Sequence, residues 1–506
     1  MNLEIIQNGV QYQNSYELYR ELTDNGKIPA LLMESKTLNI AYGKQSIVAA
    51  NPALKISGKN EEFCIEALTE QGEELLKHFS KEDFSFATSY TQDKRTIRGT
   101  YKREHNLDLT EENRLKQTNA GTFLKSVMKK FESENEYAGL YGAFAYDFVR
   151  NFEFIGNTHS SEPGDDFSLF LPTDIYVFDE LARSGVHHEI KVDGSKIQFE
   201  NSIPEISSIT SIDDMIAASG ESMSREEYLR KVDSLVRDVR NGRFMQTVLS
   251  RSKTFPLIEK PLETYGRLNG EIKSPYANPS PYCFFFNLGC GEFLYGSSPE
   301  IHAVVEKTKE GDKLTIRPLA GTRRRSPNPL EDAYIRIGLL TDPKEISEHL
   351  MLVDLARNDV FRLCNPFSVK ETDLLNTESY PNLYHIASGI EGILRDGITP
   401  IEVMLTTLPA GTLSGAPKLE AMKAIEELET ERRGFYGGAV GYITFNGECN
   451  TGITIRSVHV NDGFSKVQAG AGIVADSIPE KEYDETETKM AKPKGNLLYP
   501  LEARLR

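Results

Sequence analysis

Residues 468–489 read QAGAGIVADSIPEKEYDETETK, a run that packs a small-residue stretch, a helix start and an acidic helix face into 22 positions. Gly470, Ala471 and Gly472 carry almost no side chain, so backbone N–H groups can approach a ligand closely there, and the composition predicts a glycine turn. Ser477, with Glu480 three residues on, has the form of an N-cap and capping box and predicts a helix beginning near Ile478. In that helix Glu482, Glu485 and Lys489 fall at i, i+3 and i+7 and share one face.

A second run, TDPKEISEHL at 341–350, repeats the pattern. Asp342 is placed to cap, Pro343 takes the first helical position and Glu345 sits at the third. Glu345 and Glu348 again share a face, while Ile346, Leu350, Val353 and Ala356 or Arg357 form a stripe that needs a neighbour. Two Glu-x-x-Glu helices are therefore expected. On one reading both faces are solvated, because charge runs usually face water. On the other they meet across a pocket, where several carboxylates offer the hard oxygen ligands that suit Mg²⁺.

The chain has 506 residues, 39% hydrophobic and 26% charged, the balance of a soluble globular protein of about two to four domains. A formal charge of −17 argues against nucleic acid or an anionic membrane as partner, though not against an anionic metabolite met by a local cation. Cys64, Cys283, Cys290, Cys364 and Cys449 form no CxxC pair, which points to a reducing cytoplasm. No signal peptide and no membrane span is expected.

Short apolar runs such as Ala30–Met33 and Ile175–Phe178 read as strands of antiparallel sheets, and the polar stretch Ser80–Asn119 reads as a long surface excursion. A linker is expected within 201–222, where the composition shifts to Ser, Ile and Asp, dividing an N-terminal region over 1–215 from a second region over 223–506. Ser224 opens a further capped helix through Tyr228, Val232, Val236 and Val239. Strand-like runs then follow at Cys283–Asn287, Leu314–Pro318, Ala439–Phe445 and Gly452–Val460, with helices near 344–357 and 415–429. The fold class expected is α+β, mostly antiparallel sheets packed with helices.

Several long motifs occur in order: PLAGT at 318–322, EHLMLVDLARND at 348–359, PAGTLSGAPK at 409–418, FYGGAVGY at 435–442 and the opening run. Together they resemble the chorismate-utilising enzymes. LLMES at 31–35 and NPSPY at 278–282 further resemble the large subunits of anthranilate synthase, so the similarity covers nearly the whole chain. The resemblance implies a chorismate-binding catalytic domain over 223–506 and a regulatory region over 1–215 that forms a tryptophan pocket together with 278–283.

It also implies roles. Glu348 and Glu485 match Mg²⁺ ligands, with Glu345 and Glu482 as neighbouring acids, and the metal would hold the ring carboxylate of chorismate. Arg456 matches the arginine that pairs with the enolpyruvyl carboxylate, a task suited to a planar guanidinium. Gly321, Thr322, Tyr436, Gly470, Ala471 and Gly472 match substrate contacts, and Lys489 adds positive charge. Glu300, in GSSPE, matches the acid that protonates the departing C4 hydroxyl, and His385 a histidine tied to elimination of pyruvate. Thr412, in PAGTLSGAPK, joins the catalytic set. Taken singly, each of these has an ordinary structural explanation; their joint order favours the site.

Two positions bear on the product. Relatives that add water at C2 carry a lysine base where this chain has Gln246, and an amide cannot take a proton from water near neutral pH. Relatives that make 4-amino-4-deoxychorismate carry a lysine where this chain has Ala320. The pattern implies ammonia attack at C2 through 2-amino-2-deoxyisochorismate, giving anthranilate and pyruvate in the first step of tryptophan biosynthesis. No cysteine lies in a GxCxG turn, so a separate glutamine amidotransferase subunit is implied as the ammonia source, in a heterotetramer. Ser35, Pro281, Tyr282 and Cys283 match a pocket for L-tryptophan as feedback inhibitor, with Glu34 and Asn278 facing its ammonium. The alternatives are 4-amino-4-deoxychorismate synthase component I and a non-catalytic tryptophan-binding relative. Pro493 and Gly495 are expected to cut short the helix that carries Lys489.

Overall fold

Alternation of inward and outward side chains along long strands organises the molecule, and every pairing between the described strands is antiparallel. The structure is a computed structural model and describes residues 1–36, 45–104, 106, 108–159, 164–199, 204–380 and 383–504. One sheet runs, in spatial order, through Ile5–Gln11, Ser184–Ile190, Phe167–Asp179, Gln45–Lys59, Ala30–Glu34, Tyr282–Gly289, Glu292–Ser298, Ser457–Asn461, Phe464–Ile473 and Gln246–Pro256. The other runs through Ala87–Gln92, Thr96–Tyr101, Glu62–Ala67, Gln45–Lys59, Phe167–Asp179, Gly139–Phe144, Ala439–Thr444, Cys449–Ile453, Ile301–Thr308, Gly311–Ile316 and Leu383–Ile393. Leu319–Arg324 and Lys370–Ser379 also flank Leu383–Ile393.

Gln45–Lys59 and Phe167–Asp179 are long enough to belong to both sheets. Their pairing slips between Pro52 and Leu54, and Asn51 takes a left-handed φ of 51°, a place for the pair to bend. Between the sheets lies an apolar layer of Met33, Tyr141, Phe170, Tyr282, Phe284, Phe286 and Val440. The alternate residues Cys283 and Phe285 face the opposite side, where Tyr19, Tyr265, Tyr295, Met490 and Leu497 cover them. The far face of the second sheet packs Phe63, Phe84, Phe123, Val353, Val360 and Met404. Each fully buried ring or branched chain contributes roughly 1.5–3 kcal/mol by leaving water. The result is α+β, two antiparallel sheets with helices on their outer faces, as the residue pattern implies.

The expected helix starts are present. Asp342 accepts from the N–H groups of Lys344 and Glu345 and caps Pro343–Leu363, and Ser224 accepts from Glu227 to cap Arg225–Arg240. Pro479–Arg504 begins one residue beyond Ile478, but the Ser477 hydroxyl turns back to accept from Val474 N–H at 3.0 Å rather than capping forward.

Four expectations need correction. Ser80–Asn119 is no surface excursion: it holds the strands Ala87–Gln92 and Thr96–Tyr101, and Phe84, Ile97, Tyr101 and Leu115 are core residues. The few apolar residues of that stretch alternate, which suffices to bury one face of an edge. The run expected as one strand over Gly452–Val460 is two, because 454–456 carry the chain from one sheet to the other. The helix bearing Lys489 runs on through Pro493 and Pro500 to Arg504. Proline removes one hydrogen bond there, while Gly495 is needed because a Cβ would stand 2.3 Å from the Tyr276 ring. The region expected as a linker, of which 201–203 lie outside the described residues, contains the helix Ile212–Ala218 and the short strand Gly220–Glu221. In space the portions 1–215 and 223–506 share both sheets through the pairs Ala30–Glu34 with Tyr282–Gly289 and Gly139–Phe144 with Ala439–Thr444. Among the described residues no helix is long and apolar enough to cross a membrane.

Candidate active site

The crossing between the sheets builds a cleft of about 230 Å³. After Cys449–Ile453 the chain makes a tight turn, Ile455 N–H donating to the Ile453 carbonyl at 2.9 Å, before Ser457–Asn461 joins the other sheet. Arg456 stands in this corner with a left-handed φ of 51°, unusual for a residue with a Cβ. Its guanidinium lines the cleft, and burial holds its pKa below the ordinary arginine value.

Opposite walls come from four other segments. Pro299 and Glu300 follow the strand Glu292–Ser298; Leu319, Ala320 and Thr322 come from Leu319–Arg324; Thr412 and Leu413 from the turn before Gly415; and Gln246 and Val248 from Gln246–Pro256. Burial pushes the Glu300 carboxyl up to about 7, against the pull of the Thr412 hydroxyl, which donates to Oε1 at 2.9 Å, and of the Lys489 and Arg456 charges. A carboxyl of this kind is protonated through much of the neutral range and can act as an acid. His385 lines the same cleft, its Nδ1 2.8 Å from Thr322 Oγ1, and burial holds it below the ordinary imidazole value.

The residues 470–472 form part of the strand Phe464–Ile473 and not a turn. The glycines serve close approach: a Cβ at Gly472 would stand 2.4 Å from Gln246 Nε2. Gln246 is 4% exposed, its Nε2 lies against Gly472, and its Oε1 makes no hydrogen bond among the described residues. We expect Gly472→Ala to displace this flexible amide from the cleft, lowering kcat by about tenfold or more while the melting temperature changes little; steady-state kinetics beside thermal unfolding check both halves.

The two acidic helices do meet here. Glu348 and Glu485 both line the cleft with Lys489. Burial, then the charges of Glu345 and Glu485, raise the Glu348 pKa, and burial raises that of Glu482. Part of the repulsion is offset locally: Lys489 Nζ contacts Glu485 at 2.7 Å and the Gly470 carbonyl at 2.8 Å, and Arg323 binds Glu345 at 2.6 Å and Asp342 at 2.9 Å. Among the described residues no three His, Cys, Asp or Glu side chains form a ready-made metal cage. Two converging carboxylates with open positions nonetheless have the donor chemistry of an Mg²⁺ shared with a substrate oxygen. Gly321, with a left-handed φ of 79°, lies under Glu345, and Tyr436 closes the floor with its hydroxyl buried and pushed up to about 12.

Other expected residues lie elsewhere. Cys283 is buried in the outer layer of the first sheet, while Tyr282, its neighbour, points between the sheets and donates to the Val440 carbonyl at 3.1 Å. Ser35 and Pro281 flank this strand end beside Glu34. Arg323 and the apolar walls Val248, Leu319, Leu352 and Ile455 are not among the site residues the sequence points to. The signal for Arg323 was its place one residue after Thr322, but its partner Glu345 is set only by tertiary packing.

The sequence matches the chorismate binding enzymes over residues 75–495, and the chain belongs to that family. It is 33% identical to anthranilate synthase component 1 of Vibrio parahaemolyticus over 96% of this chain and 91% of that protein. It is 40% identical to the protein of the same name from Pseudomonas putida, over 69% of this chain and 73% of that one. Among solved structures it superposes on anthranilate synthase component I from Streptococcus pneumoniae with a TM-score of 0.63 at 27% identity, covering 89% of this chain and 92% of that one. The fold is also that of the menaquinone-specific isochorismate synthase from Escherichia coli, with a TM-score of 0.63 at 14% identity over 98% of this chain and 94% of that one.

Proposed function

We propose that this chain is the chorismate-binding subunit of an anthranilate synthase, converting chorismate and ammonia to anthranilate and pyruvate. The observation that carries the choice of nucleophile is Gln246: a buried amide whose oxygen has no hydrogen-bond partner among the described residues, at a cleft in which Lys489, the one lysine among the described lining residues, is already tied to Glu485 and the Gly470 carbonyl. An amide oxygen accepts a hydrogen bond from ammonia and orients it but cannot deprotonate water.

The reaction then follows from the side chains. Arg456 holds the enolpyruvyl carboxylate by its planar fork, with Tyr436 beneath. Ammonia, positioned by Gln246, attacks C2 as the C4 hydroxyl leaves with the proton of Glu300, whose acid is aligned by Thr412. Glu348 and Glu485 would hold Mg²⁺, with Glu345 and Glu482 beside them, and the ion would polarise the ring carboxylate. Loss of the ring hydrogen at C2 and cleavage of the enolpyruvyl C–O bond aromatise the intermediate, with His385, oriented by Thr322, moving the proton. Ala320 leaves no amine for the route to 4-amino-4-deoxychorismate.

Chorismate, Mg²⁺ and an ammonium salt at high pH should give fluorescent anthranilate with the purified chain. A 4-amino or 2-hydroxy product would overturn the assignment. His385→Met should still aminate and accumulate 2-amino-2-deoxyisochorismate, seen by chromatography; normal anthranilate output from that variant would remove His385 from the elimination step.

Ammonia from glutamine would come from a separate amidotransferase subunit in a heterotetramer within the cytoplasm. Burial raises the thiol pKa values of Cys64, Cys283, Cys364 and Cys449, the opposite of an activated nucleophile. Efficient use of glutamine by the chain alone would refute the need for that partner. L-Tryptophan as end product would bind beside Ser35, Pro281, Tyr282 and Cys283 with its ammonium toward Glu34 and Asn278.

A further inference from the structure

The acidic floor of the proposed feedback niche is filled by a cation of this chain. Glu34 ends the strand Ala30–Glu34 with its side chain fully buried. Its Oε1 accepts from Ser15 Oγ at 2.7 Å and Lys36 Nζ at 2.8 Å, and its Oε2 accepts from Tyr265 OH at 2.6 Å and Asn269 Nδ2 at 2.7 Å. Every favourable acceptor direction of the carboxylate is thereby taken. The Lys36 ammonium is also paired with Glu271, which in turn accepts from Asn14 Nδ2 at 3.1 Å.

A buried carboxylate without a counter-charge costs several kcal/mol, so Glu34 requires a cation. Lys36, two residues on and 19% exposed, reaches back to supply it. Burial works against the Lys36 charge, but Glu34 and Glu271 together hold its pKa above the ordinary lysine value. An α-amino acid carries an ammonium of the same charge and the same donor chemistry. Its ammonium can take the place of the Lys36 ammonium on Glu34, yet it cannot bind there beside it, because Glu34 has no acceptor direction left.

The niche is linked to the cleft through Ser297. Cys283 Sγ lies 3.4 Å from Ser297 Oγ, and Ser297 Oγ donates to the Asn278 carbonyl. Ser297 N–H donates to the Arg456 carbonyl at 3.3 Å, and the same strand leads within three residues to Glu300. A shift of Cys283 or Asn278 on ligand entry therefore bears on both the arginine corner and the acid.

We propose that Lys36 is a built-in competitor for the amino-acid site: its ammonium fills the Glu34 niche, and feedback by tryptophan proceeds only by evicting it. The proposal rests on reading this niche as the tryptophan site. The chain contains no Trp, so indole fluorescence reports bound L-tryptophan directly. We expect Lys36→Met to bind L-tryptophan about tenfold or more tighter than wild type, with inhibition shifted equally and an unchanged ammonia-dependent rate, and Lys36→Arg to stay near wild type. Equal affinity of wild type and Lys36→Met would leave the feedback site standing and remove the competitor. No binding by either would overturn the feedback reading and the proposal together. A measurement on the unaltered protein covers the case in which Lys36→Met does not fold: acetylation of Lys36 by acetic anhydride, read by mass spectrometry, should rise when L-tryptophan is added, and unchanged or reduced labelling would count against eviction.

Discussion

Replacing Glu300 by Gln is expected to lower ammonia-dependent turnover of chorismate by about 10²–10⁴-fold, the usual worth of a positioned general acid. Gln keeps the shape and can still accept from Thr412, so the loss isolates the proton. The pH profile gives a second readout. Because burial pushes the Glu300 carboxyl up to about 7, the acid form is full below that value and drains away above it. At fixed free ammonia the wild-type rate should therefore fall as pH rises through about 7. The residual rate of Glu300→Gln should lack this limb. A variant that kept the limb would assign it to another group.

Arg456→Met is expected to lower kcat/KM for chorismate by about 10²–10⁴-fold, since breaking a buried charge pair costs about 3–5 kcal/mol and each 1.36 kcal/mol is tenfold. The effect should fall mainly on KM if the guanidinium holds the substrate carboxylate equally before and during reaction. Arg456→Lys should recover only part of it, because an ammonium lacks the bidentate fork. The left-handed backbone at this position is imposed by the corner and persists with Met, so circular dichroism should be unchanged. A loss confined to kcat would instead place Arg456 in transition-state stabilisation.

The sequence was most legible where local chemistry decides structure. Asp342 and Ser224 cap the helices they were expected to cap, because a side-chain oxygen and the N–H groups two or three residues on need no distant help. The convergence of Glu348 with Glu485 follows from motif order, whereas spacing alone favours a solvated face. What spacing could not give is where strands lie in space. Gly470–Gly472 looked like a turn because glycine serves turns and close approach alike, and only the Gln246 amide on the neighbouring strand tells which. Thr322 and His385 were named separately, but their contact follows from a strand register set 63 positions apart. The helix through Pro493 shows a local rule overridden by tertiary packing against Tyr276.

The two sheets shared between the first 215 residues and the rest have a practical consequence for anyone dissecting this chain. A fragment beginning at 223 would strip Tyr282–Gly289 and Ala439–Thr444 each of one of its two neighbours, leaving two raw borders flanked by Phe284, Phe286 and Val440. Such borders recruit other chains. The portion from 223 onward is thus no portable cassette: it would precipitate or require a surrogate strand, and insertions are better placed at the tips of exposed turns such as that around Glu310.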